Sequence, residues 1–281
     1  MTDMNNIKLI ATDLDGTLLD RNMALSERNR IAFENAAAKG IILVVATGRS
    51  FRSVPDYVKN ITGIKYAVTA NGANTHDVST GKLMDSQHIS DAAIDGVWDI
   101  LNTKGIMLEV FVEGRPYVHN WDYVNPQIFG TTDSYLKYFM ATRKPVEDIF
   151  NFIKEHQSQI ENINLVFRSP NERLDALHRL ESIAEKENSF TLTSSFPFNL
   201  EIGGTNVDKA TAIAKICSSH DIDSKDVMCL GDNHNDLTMV KYAGIGVAME
   251  DAVDEVKAAA DFVTKSSSES GVAFAVEKFI P

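Results

Sequence analysis

Residues 7–17 read IKLIATDLDGT, and this stretch decides the fold that we predict. Its first half, residues 7–12, is a short apolar run rich in branched side chains, which is typical of a buried strand. The strand ends at Asp13, where open α/β sheets place their ligand sites. Asp15 follows two residues later, and Gly16 permits a sharp turn. The stretch therefore predicts a strand that leads into a chemically active loop.

Strands and helices alternate outward from this first strand. Ser26 can cap a helix that closes at Gly40, and residues 41–46 (IILVVA) form a second continuous apolar strand, the pattern of a parallel sheet covered on both faces. Further helices are predicted at 54–60, 208–220, 252–259 and the C-terminus, and further strands at 66–69, 227–230 and 244–249. This alternation predicts an α/β fold, a doubly wound parallel sheet with right-handed crossovers.

The middle of the chain has a different pattern. Paired strands at 107–112 and 117–120 are joined through Glu113-Gly114-Arg115-Pro116, and amphipathic helices follow at 146–158 and 172–187. This α+β composition within an α/β frame predicts an inserted domain at residues 84–196. The core is then expected at 1–83 and 197–281. The family resemblance described below makes the inserted domain a cap that sets substrate specificity and makes the core catalytic.

Composition narrows the class of protein. The chain has 281 residues, ordinary hydrophobic content and a net charge of −12, which argues against a nucleic-acid partner. No apolar run approaches the ~18 residues of a membrane span. The polar residues 1–6 lack the order of a secretory signal, and two cysteines give no disulfide framework, so we expect a cytoplasmic protein. A small anionic substrate would need locally placed cations or a bound metal.

The Asp13-Leu14-Asp15-Gly16-Thr17 segment can carry phosphoryl chemistry. A carboxylate at position 13 can attack phosphorus, which divides one difficult displacement into two easier ones. A second carboxylate at position 15 can protonate the leaving oxygen and later deprotonate a water. The Thr17 hydroxyl can hold a phosphate oxygen. The alternative interpretation is an ordinary Asp/Gly turn after a strand.

On this motif the chain resembles the haloacid dehalogenase superfamily of phosphohydrolases, and in particular its Cof-type branch with a large α/β cap. The resemblance implies that Asp13 is the nucleophile and an Mg²⁺ ligand. It implies that Asp15 is the general acid/base and gives its backbone carbonyl to the metal. Leu14, Gly16 and Thr17 are then expected to line the phosphate site.

Two further strand ends match this family. Thr47-Gly48-Arg49 follows the second strand. The resemblance implies that the Thr47 hydroxyl binds a phosphoryl oxygen and that Gly48 and Arg49 lie beside the phosphate. The alternative for Thr47 is a helix N-cap. Asn71-Gly72 follows the next strand, and either a phosphate-site role or a tight turn fits it.

Lys209 begins a helix, where free N–H groups already favour anions. The resemblance makes it the lysine that offsets charge on the phospho-aspartate. The family usually has glycine after this lysine, whereas this chain has Ala210.

The segment Gly231-Asp232-Asn233-His234-Asn235-Asp236 matches the family's GDxxND motif. Mg²⁺ prefers hard oxygen ligands, and the resemblance implies Asp13, the Asp15 carbonyl and Asp232 as ligands. Asn235 is expected at the phosphoryl group or a metal-bound water, and Asp236 as a direct or indirect metal partner. His234 is expected to face solvent or the cap.

The sequence thus predicts an Mg²⁺-dependent phosphatase of small phosphorylated metabolites, either sugar phosphates or nucleotide-type cofactors and their precursors. A phosphohexomutase and a non-catalytic phospho-ligand sensor are the alternatives, and we expect a monomer or homodimer. Glu250-Asp251 replaces the Gly-Asn that relatives usually carry, and two acids near an anion site predict altered specificity. Arg115, Tyr117, His119 and Trp121 on the cap hairpin are candidate substrate contacts.

Overall fold

The computed structural model describes residues 7–129 and 133–281, and the side chains of 133–135 are left aside. The expectation about residues 1–6 lies outside the described part. The chain divides into two compact units. The first unit comprises the chain up to Gly48, Val54–Asp85 and Asp208–Pro281, and the second comprises Arg49–Ser53 and Ser86–Val207.

The strands are, in chain order, β1 Leu9–Thr12, β2 Ile42–Ala46, β3 Ile64–Thr69, β4 Asn74–Asp77, β5 Leu83–Ser86, β6 Met107–Val112, β7 Arg115–His119, β8 Lys144–Val146, β9 Ile160–Val166, β10 Phe190–Thr193, β11 Asn199–Gly204, β12 Val227–Gly231, β13 Ile245–Ala248 and β14 Phe262–Val263.

The α-helices are α1 Glu27–Ala38, α2 Asp56–Lys59, α3 Asp91–Leu101, α4 Asn120–Val124, α5 Asp133–Thr142, α6 Ile149–His156, α7 Pro170–Glu187, α8 Lys209–Ser219, α9 Leu237–Tyr242, α10 Asp254–Ala259 and α11 Gly271–Phe279. Among the helices of the described chain, none has the length and apolar character that crossing a membrane requires.

The first unit is built on one sheet with the strand order β14-β13-β12-β1-β2-β3-β4-β5. The strands from β14 to β3 pair in parallel, and β4 runs antiparallel to β3. The order reverses at β1, since the chain proceeds to β2 on one side and returns through β12 on the other. Such a switch point opens a crevice at the carboxyl ends of the strands. The predicted doubly wound α/β fold is confirmed, with the antiparallel β4 as an unforeseen addition.

The central strands are apolar because they are covered on both faces. Leu9, Ile10 and Ala11 of β1 are each 0% exposed. Apolar residues of α8 and α9 pack with β1, β2 and β12 in one core cluster. This packing leaves the ends of the strands as the places where polar side chains can gather.

The second unit is built on a sheet with the order β10-β11-β9-β6-β7-β8. Its strands pair antiparallel except for β7 with β8. Alternate residues of β6, β9 and β11 form one apolar face, which packs in a buried core with α3, α6 and α7. The expected hairpin of β6 and β7 is present, and α+β composition is observed.

The chain returns to the first unit at Asp208, later than the expected boundary at residue 197. We expected residues 197–207 in the core, but β11 pairs with β9 and β10 in the second sheet. The physical reason is its alternation, because Leu200 and Ile202 are buried in the second unit's core while Asn199 and Glu201 occupy the other face. The first unit resumes at Asp208.

Candidate active site

Loops that follow β1, β3 and β12 meet at the carboxyl edge of the first sheet. The Thr17 hydroxyl donates to Asp232 Oδ1 at 2.7 Å, although 215 residues separate them. The Asn235 side-chain amide donates to Asn71 Oδ1 at 3.1 Å. The strand order therefore brings these sequence-predicted residues together.

Lys209 is a fully buried charge of this cluster, with 0% of its surface exposed. Its Nζ donates to Asp13 Oδ1 and to Asp236 Oδ1, each at 2.6 Å. Burial alone would lower the pKa of Lys209, but the two carboxylates outweigh it and hold the pKa above its ordinary value. Lys209 is therefore a fixed ammonium beside Asp13, with Ala210 in place of the family's glycine.

Asp236 uses both carboxylate oxygens inside the protein. Oδ1 accepts from Lys209, and Oδ2 accepts from the backbone amides of Asp232 at 2.9 Å and Asn233 at 3.0 Å. It thereby fixes the ammonium and the loop after β12 in one position. Of the two roles expected for Asp236, the indirect one fits these bonds better than direct metal ligation.

The carboxylates leave room for a cation. One oxygen from each of Asp13, Asp232 and Asp236 lies within 4.8 Å of the others. No residue within 7–129 or 133–281 donates a hydrogen bond to Asp13 Oδ2 or Asp232 Oδ2. Three carboxylates against one ammonium leave two negative charges in excess. Hard oxygen donors with this excess charge fit Mg²⁺.

The pKa values of the carboxyls express the same excess charge. Burial is the largest cause that raises the pKa of Asp13 well above its ordinary value; Lys209 opposes it, and Asp236 and Asp232 add to it. Burial and then Asp236 raise the pKa of Asp232 to about 7. A divalent cation would relieve this repulsion and favour the ionised forms.

Gly16 is needed for the approach of Asp232. Its φ is +89°, and a Cβ there would lie 2.7 Å from Asp232 Oδ2. Thr17, expected to hold phosphate, instead gives its hydroxyl to Asp232. This contact orients a proposed metal ligand, and the motif does not predict it because nothing in the motif specifies where the hydroxyl points.

Asp15 and Leu14 differ sharply in exposure. The Asp15 side chain is exposed, and its charge is the smallest of the causes that raise the pKa of Asp13. The Leu14 side chain is fully buried, and its carbonyl accepts from the amides of Thr17 and Leu19. Leu14 thus anchors the loop, and its side chain is directed into the core.

Thr47, Asn71 and Gly72 form a backbone frame. The Asn71 amide donates to the Thr47 carbonyl at 3.1 Å, and Asn71 adopts a left-handed conformation with φ of 54°. Gly72 has a φ of +107°, and a Cβ there would lie 2.1 Å from the Asp208 carbonyl oxygen. The tight-turn interpretation therefore accounts for Gly72, which lets this turn approach the start of the Lys209 helix.

Arg49 is placed by contacts within the second unit, and His234 is a surface residue. Gly48 ends a segment of the first unit, whereas Arg49 belongs to the second, donates from Nη1 to Ser53 O at 3.0 Å and stacks on the Tyr138 ring at 4.3 Å. The role of Arg49 beside the phosphate stays a prediction. His234 is exposed, as expected.

Asp251, one of the two unusual acids, lies close enough to matter electrostatically. Its charge is a minor cause of the raised pKa of Asp232. It forms an ion pair with Arg21 at 3.1 Å, and Arg21 lies in the loop that follows the Asp13 motif. Part of the added negative charge is therefore offset by a nearby cation.

Comparison with known proteins identifies the class. A family described as haloacid dehalogenase-like hydrolase matches residues 10–276. The chain is 31% identical over 277 residues to YxeH of Bacillus subtilis, covering 97% of this chain and 98% of that protein. It is 30% identical over 275 residues to 5-amino-6-(5-phospho-D-ribitylamino)uracil phosphatase YcsE of Bacillus subtilis, covering 98% and 96%.

A solved structure agrees with these sequence relatives. A haloacid dehalogenase-like hydrolase from Bacillus subtilis superposes with a TM-score of 0.84 at 27% identity, covering 96% of this chain and 99% of that one. The chain therefore belongs to the haloacid dehalogenase-like hydrolases, in their Cof-type branch. Within that family it is a phosphatase, a phosphoric monoester hydrolase.

Proposed function

We propose that this phosphatase uses Mg²⁺ and an aspartyl phosphate on Asp13. One observation carries the proposal: Lys209 holds Asp13 Oδ1 at 2.6 Å, while Oδ2 accepts no hydrogen bond from the described residues. A carboxylate fixed at one oxygen and available at the other is suited to nucleophilic attack.

In the first step, Asp13 Oδ2 forms a bond to phosphorus as the bond from phosphorus to the leaving oxygen breaks. Asp15 transfers its proton to that oxygen, so the product leaves as an alcohol. Lys209 offsets charge that the phosphoryl group brings beside Asp13. Asp236 keeps the ammonium in place throughout.

In the second step, Asp15 takes a proton from a water whose oxygen attacks phosphorus. The bond from Asp13 to phosphorus breaks, and inorganic phosphate leaves with Asp13 and Asp15 restored to their starting states. When bound, Mg²⁺ would neutralise charge on the phosphoryl oxygens. Asp13, Asp232 and the Asp15 carbonyl would hold it.

The proposed substrates are small phosphorylated metabolites. A relative that matches 98% of this chain is named as a phosphatase of 5-amino-6-(5-phospho-D-ribitylamino)uracil, a name that contains a phosphorylated ribityl group. This supports a hydroxylated phosphate monoester as the first substrate to test. We infer a cytoplasmic location, supported by Cys217 and Cys229 as buried free thiols.

The test is phosphate release from p-nitrophenyl phosphate with Mg²⁺ and after chelation with EDTA. We expect turnover that depends on the metal. Asp13→Asn is expected to lower kcat by at least about 10³, because a covalent nucleophile is lost. The exposed Asp99→Asn on α3 is the matched control and should retain activity.

Thermal unfolding should show that Asp13→Asn is folded. Wild-type inactivity across several divalent metals would contradict the phosphatase proposal. If Asp13→Asn keeps more than a tenth of the wild-type activity, the nucleophile is another residue. Isomerised sugar phosphate without free phosphate would instead favour the phosphohexomutase alternative.

A further inference from the structure

Residues 15–25 of the first unit fold back on themselves as one loop. Asp15 pairs with Leu19, and Leu19 pairs with Leu25, through isolated β-bridges. The Gly16 amide donates to the Leu19 carbonyl at 3.0 Å. The backbone of Asp15 is therefore linked through Leu19 to the rest of the loop.

The tip of the loop, residues 20–24, is a closed turn. Asp20 Oδ1 accepts from the backbone amides of Asn22 and Ala24, each at 2.8 Å. The Asp20 amide donates to the Ala24 carbonyl at 3.0 Å, and the Met23 amide donates to the Asp20 carbonyl at 2.9 Å. Because these bonds lock the turn, a displacement of the tip is passed on to the rest of the loop.

Met23 in this turn has a strained backbone. Its φ is 62°, a left-handed conformation that is unfavourable for a residue with a Cβ. Such conformations persist where surrounding contacts fix them, and they gather at functional sites. One such contact comes from outside the loop, since Tyr57 Oη donates to the Met23 carbonyl at 2.5 Å. Tyr57 thus ties the tip of the loop to another element.

Tyr57 lies on α2, which is anchored in the first unit. Val58, the next residue, is 0% exposed, and Val54 and Ile61 on either side of α2 are also buried. Tyr57 itself is 46% exposed, so its ring adds little to the core. Its hydroxyl therefore reaches from an anchored helix to the tip of the loop.

A second contact holds the tip more weakly. Arg21 pairs with Asp251 at 3.1 Å, and the Arg21 side chain is 79% exposed, so solvent screens the pair. Asp251 also adds to the raised pKa of Asp232, and a change of Asp251 would alter the carboxylate cluster as well as the loop. The uncharged hydroxyl of Tyr57 can be removed without that second effect.

Asp15 depends on this loop for its position. Its side chain is exposed, so packing in the core does not set its direction. Proton transfer requires the carboxyl to lie within hydrogen-bond reach of the leaving oxygen, about 2.6–3.2 Å. A loop released at its tip would misplace this carboxyl, while Asp13 stays fixed by its bond to Lys209.

We propose that Tyr57 is a positioning residue for Asp15. Its hydroxyl restrains the tip of the loop, and the bridges at Leu19 pass this restraint on to the backbone of Asp15. The inference rests on the proposed function, in which Asp15 protonates the leaving oxygen. Loss of the hydroxyl should therefore impair proton transfer to that oxygen more than it impairs attack by Asp13.

The experiment compares phenyl phosphate with p-nitrophenyl phosphate in the presence of Mg²⁺. The two esters are of similar size, but phenolate is the stronger base and depends more on a proton from Asp15. The measured quantity is kcat/KM for phenyl phosphate divided by kcat/KM for p-nitrophenyl phosphate, because kcat/KM excludes the hydrolysis that follows release of the leaving group. In Tyr57→Phe this ratio should fall about fivefold, the effect of one net hydrogen bond.

Two further variants calibrate the ratio. In Asp15→Asn it should fall at least about tenfold, because general acid catalysis is lost. Tyr66→Phe is the matched control, since it removes a tyrosine hydroxyl that lies 2.9 Å from His220 Nε2 in the same unit. In this control the ratio should stay unchanged, and thermal unfolding should show that all three variants are folded.

The outcomes separate the two proposals. No turnover of either ester by wild type overturns the phosphatase proposal, and an unchanged ratio in Asp15→Asn overturns the general-acid role of Asp15. If the ratio falls in Asp15→Asn but changes less than about threefold in Tyr57→Phe, only the role of Tyr57 is overturned. An equal fall of kcat/KM for both esters gives that result, as a purely structural role of Tyr57 would. If Tyr57→Phe does not fold, Tyr57→Leu is judged by the same ratio.

Discussion

At the scale of single residues, Lys209 carries the largest electrostatic consequence. It lies fully buried between two carboxylates, and its removal would leave both without a counter-charge. We predict that Lys209→Met abolishes phosphatase activity and lowers the free energy of unfolding by about 3–5 kcal/mol. Urea denaturation and steady-state kinetics measure the two effects.

Lys215 provides a matched control on the same helix. Its side chain is 52% exposed and pairs with Asp85 at 2.7 Å, so Lys215→Met removes a solvent-screened ion pair. It should change stability far less and leave activity intact. If Lys209→Met and Lys215→Met lose equal amounts of stability and activity, the burial of the Lys209 ammonium is not the cause of the loss.

At the scale of elements, the approach of one turn to the start of α8 sets the position of Lys209. We predict that Gly72→Ala destabilises the protein by about 2 kcal/mol or more, because the new methyl group meets the Asp208 carbonyl and the positive φ is strained. Activity should fall as well, since the displaced helix carries Lys209.

Gly40→Ala is a control that separates the strain of a positive φ from the steric contact of the added methyl group. Gly40 also has a positive φ, +84°, but nothing lies within 4 Å of its added Cβ. This variant should lose only about 1 kcal/mol and keep its kcat. If Gly40→Ala loses as much stability and kcat as Gly72→Ala does, the contact between the new Cβ at position 72 and the Asp208 carbonyl is not the cause of the loss.

At the scale of the whole molecule, stability should depend on pH through His76 in β4. Burial lowers the pKa of His76 to about 4, whereas the unfolded chain has an ordinary value near 6.5. Because the unfolded state binds the proton more tightly, stability is present above pH 6.5 and is lost as the pH falls towards 4. The loss is at most about 3 kcal/mol.

Urea denaturation at pH 7.5 and pH 5 measures this dependence in wild type and in His76→Asn. The comparison is needed because the buried Asp13 and Asp232 have raised pKa values, which act with the opposite sign. We expect the free energy of unfolding at pH 7.5 minus that at pH 5 to be less positive in His76→Asn than in wild type, because the contribution of His76 favours the higher pH. If the change in the free energy of unfolding between pH 7.5 and pH 5 is the same in wild type and variant, His76 does not contribute to the pH dependence.

Local sequence patterns were enough to predict the frame of the core. Asp13 and Asp232 each follow an apolar run long enough for only a buried strand, and right-handed crossovers leave few orders for those strands. The meeting of Asp13 and Asp232 could therefore be predicted, whereas the place of Lys209 beside them was implied by the family resemblance. The antiparallel pairing of β4 and the place of β11 in the second sheet could not be predicted, because strand pairing over long separations leaves no local signal in the sequence.

The partners of individual side-chain hydrogen bonds could be learned only from the folded structure. Thr17 and Asp232 are 215 residues apart, and no spacing rule says that this hydroxyl orients a carboxylate in preference to phosphate. Tyr57 looks like any exposed residue of a short helix until its contact with Met23 is known. Backbone periodicity is encoded locally, whereas the partner of a buried polar atom depends on distant segments arriving together, and that is settled only on folding.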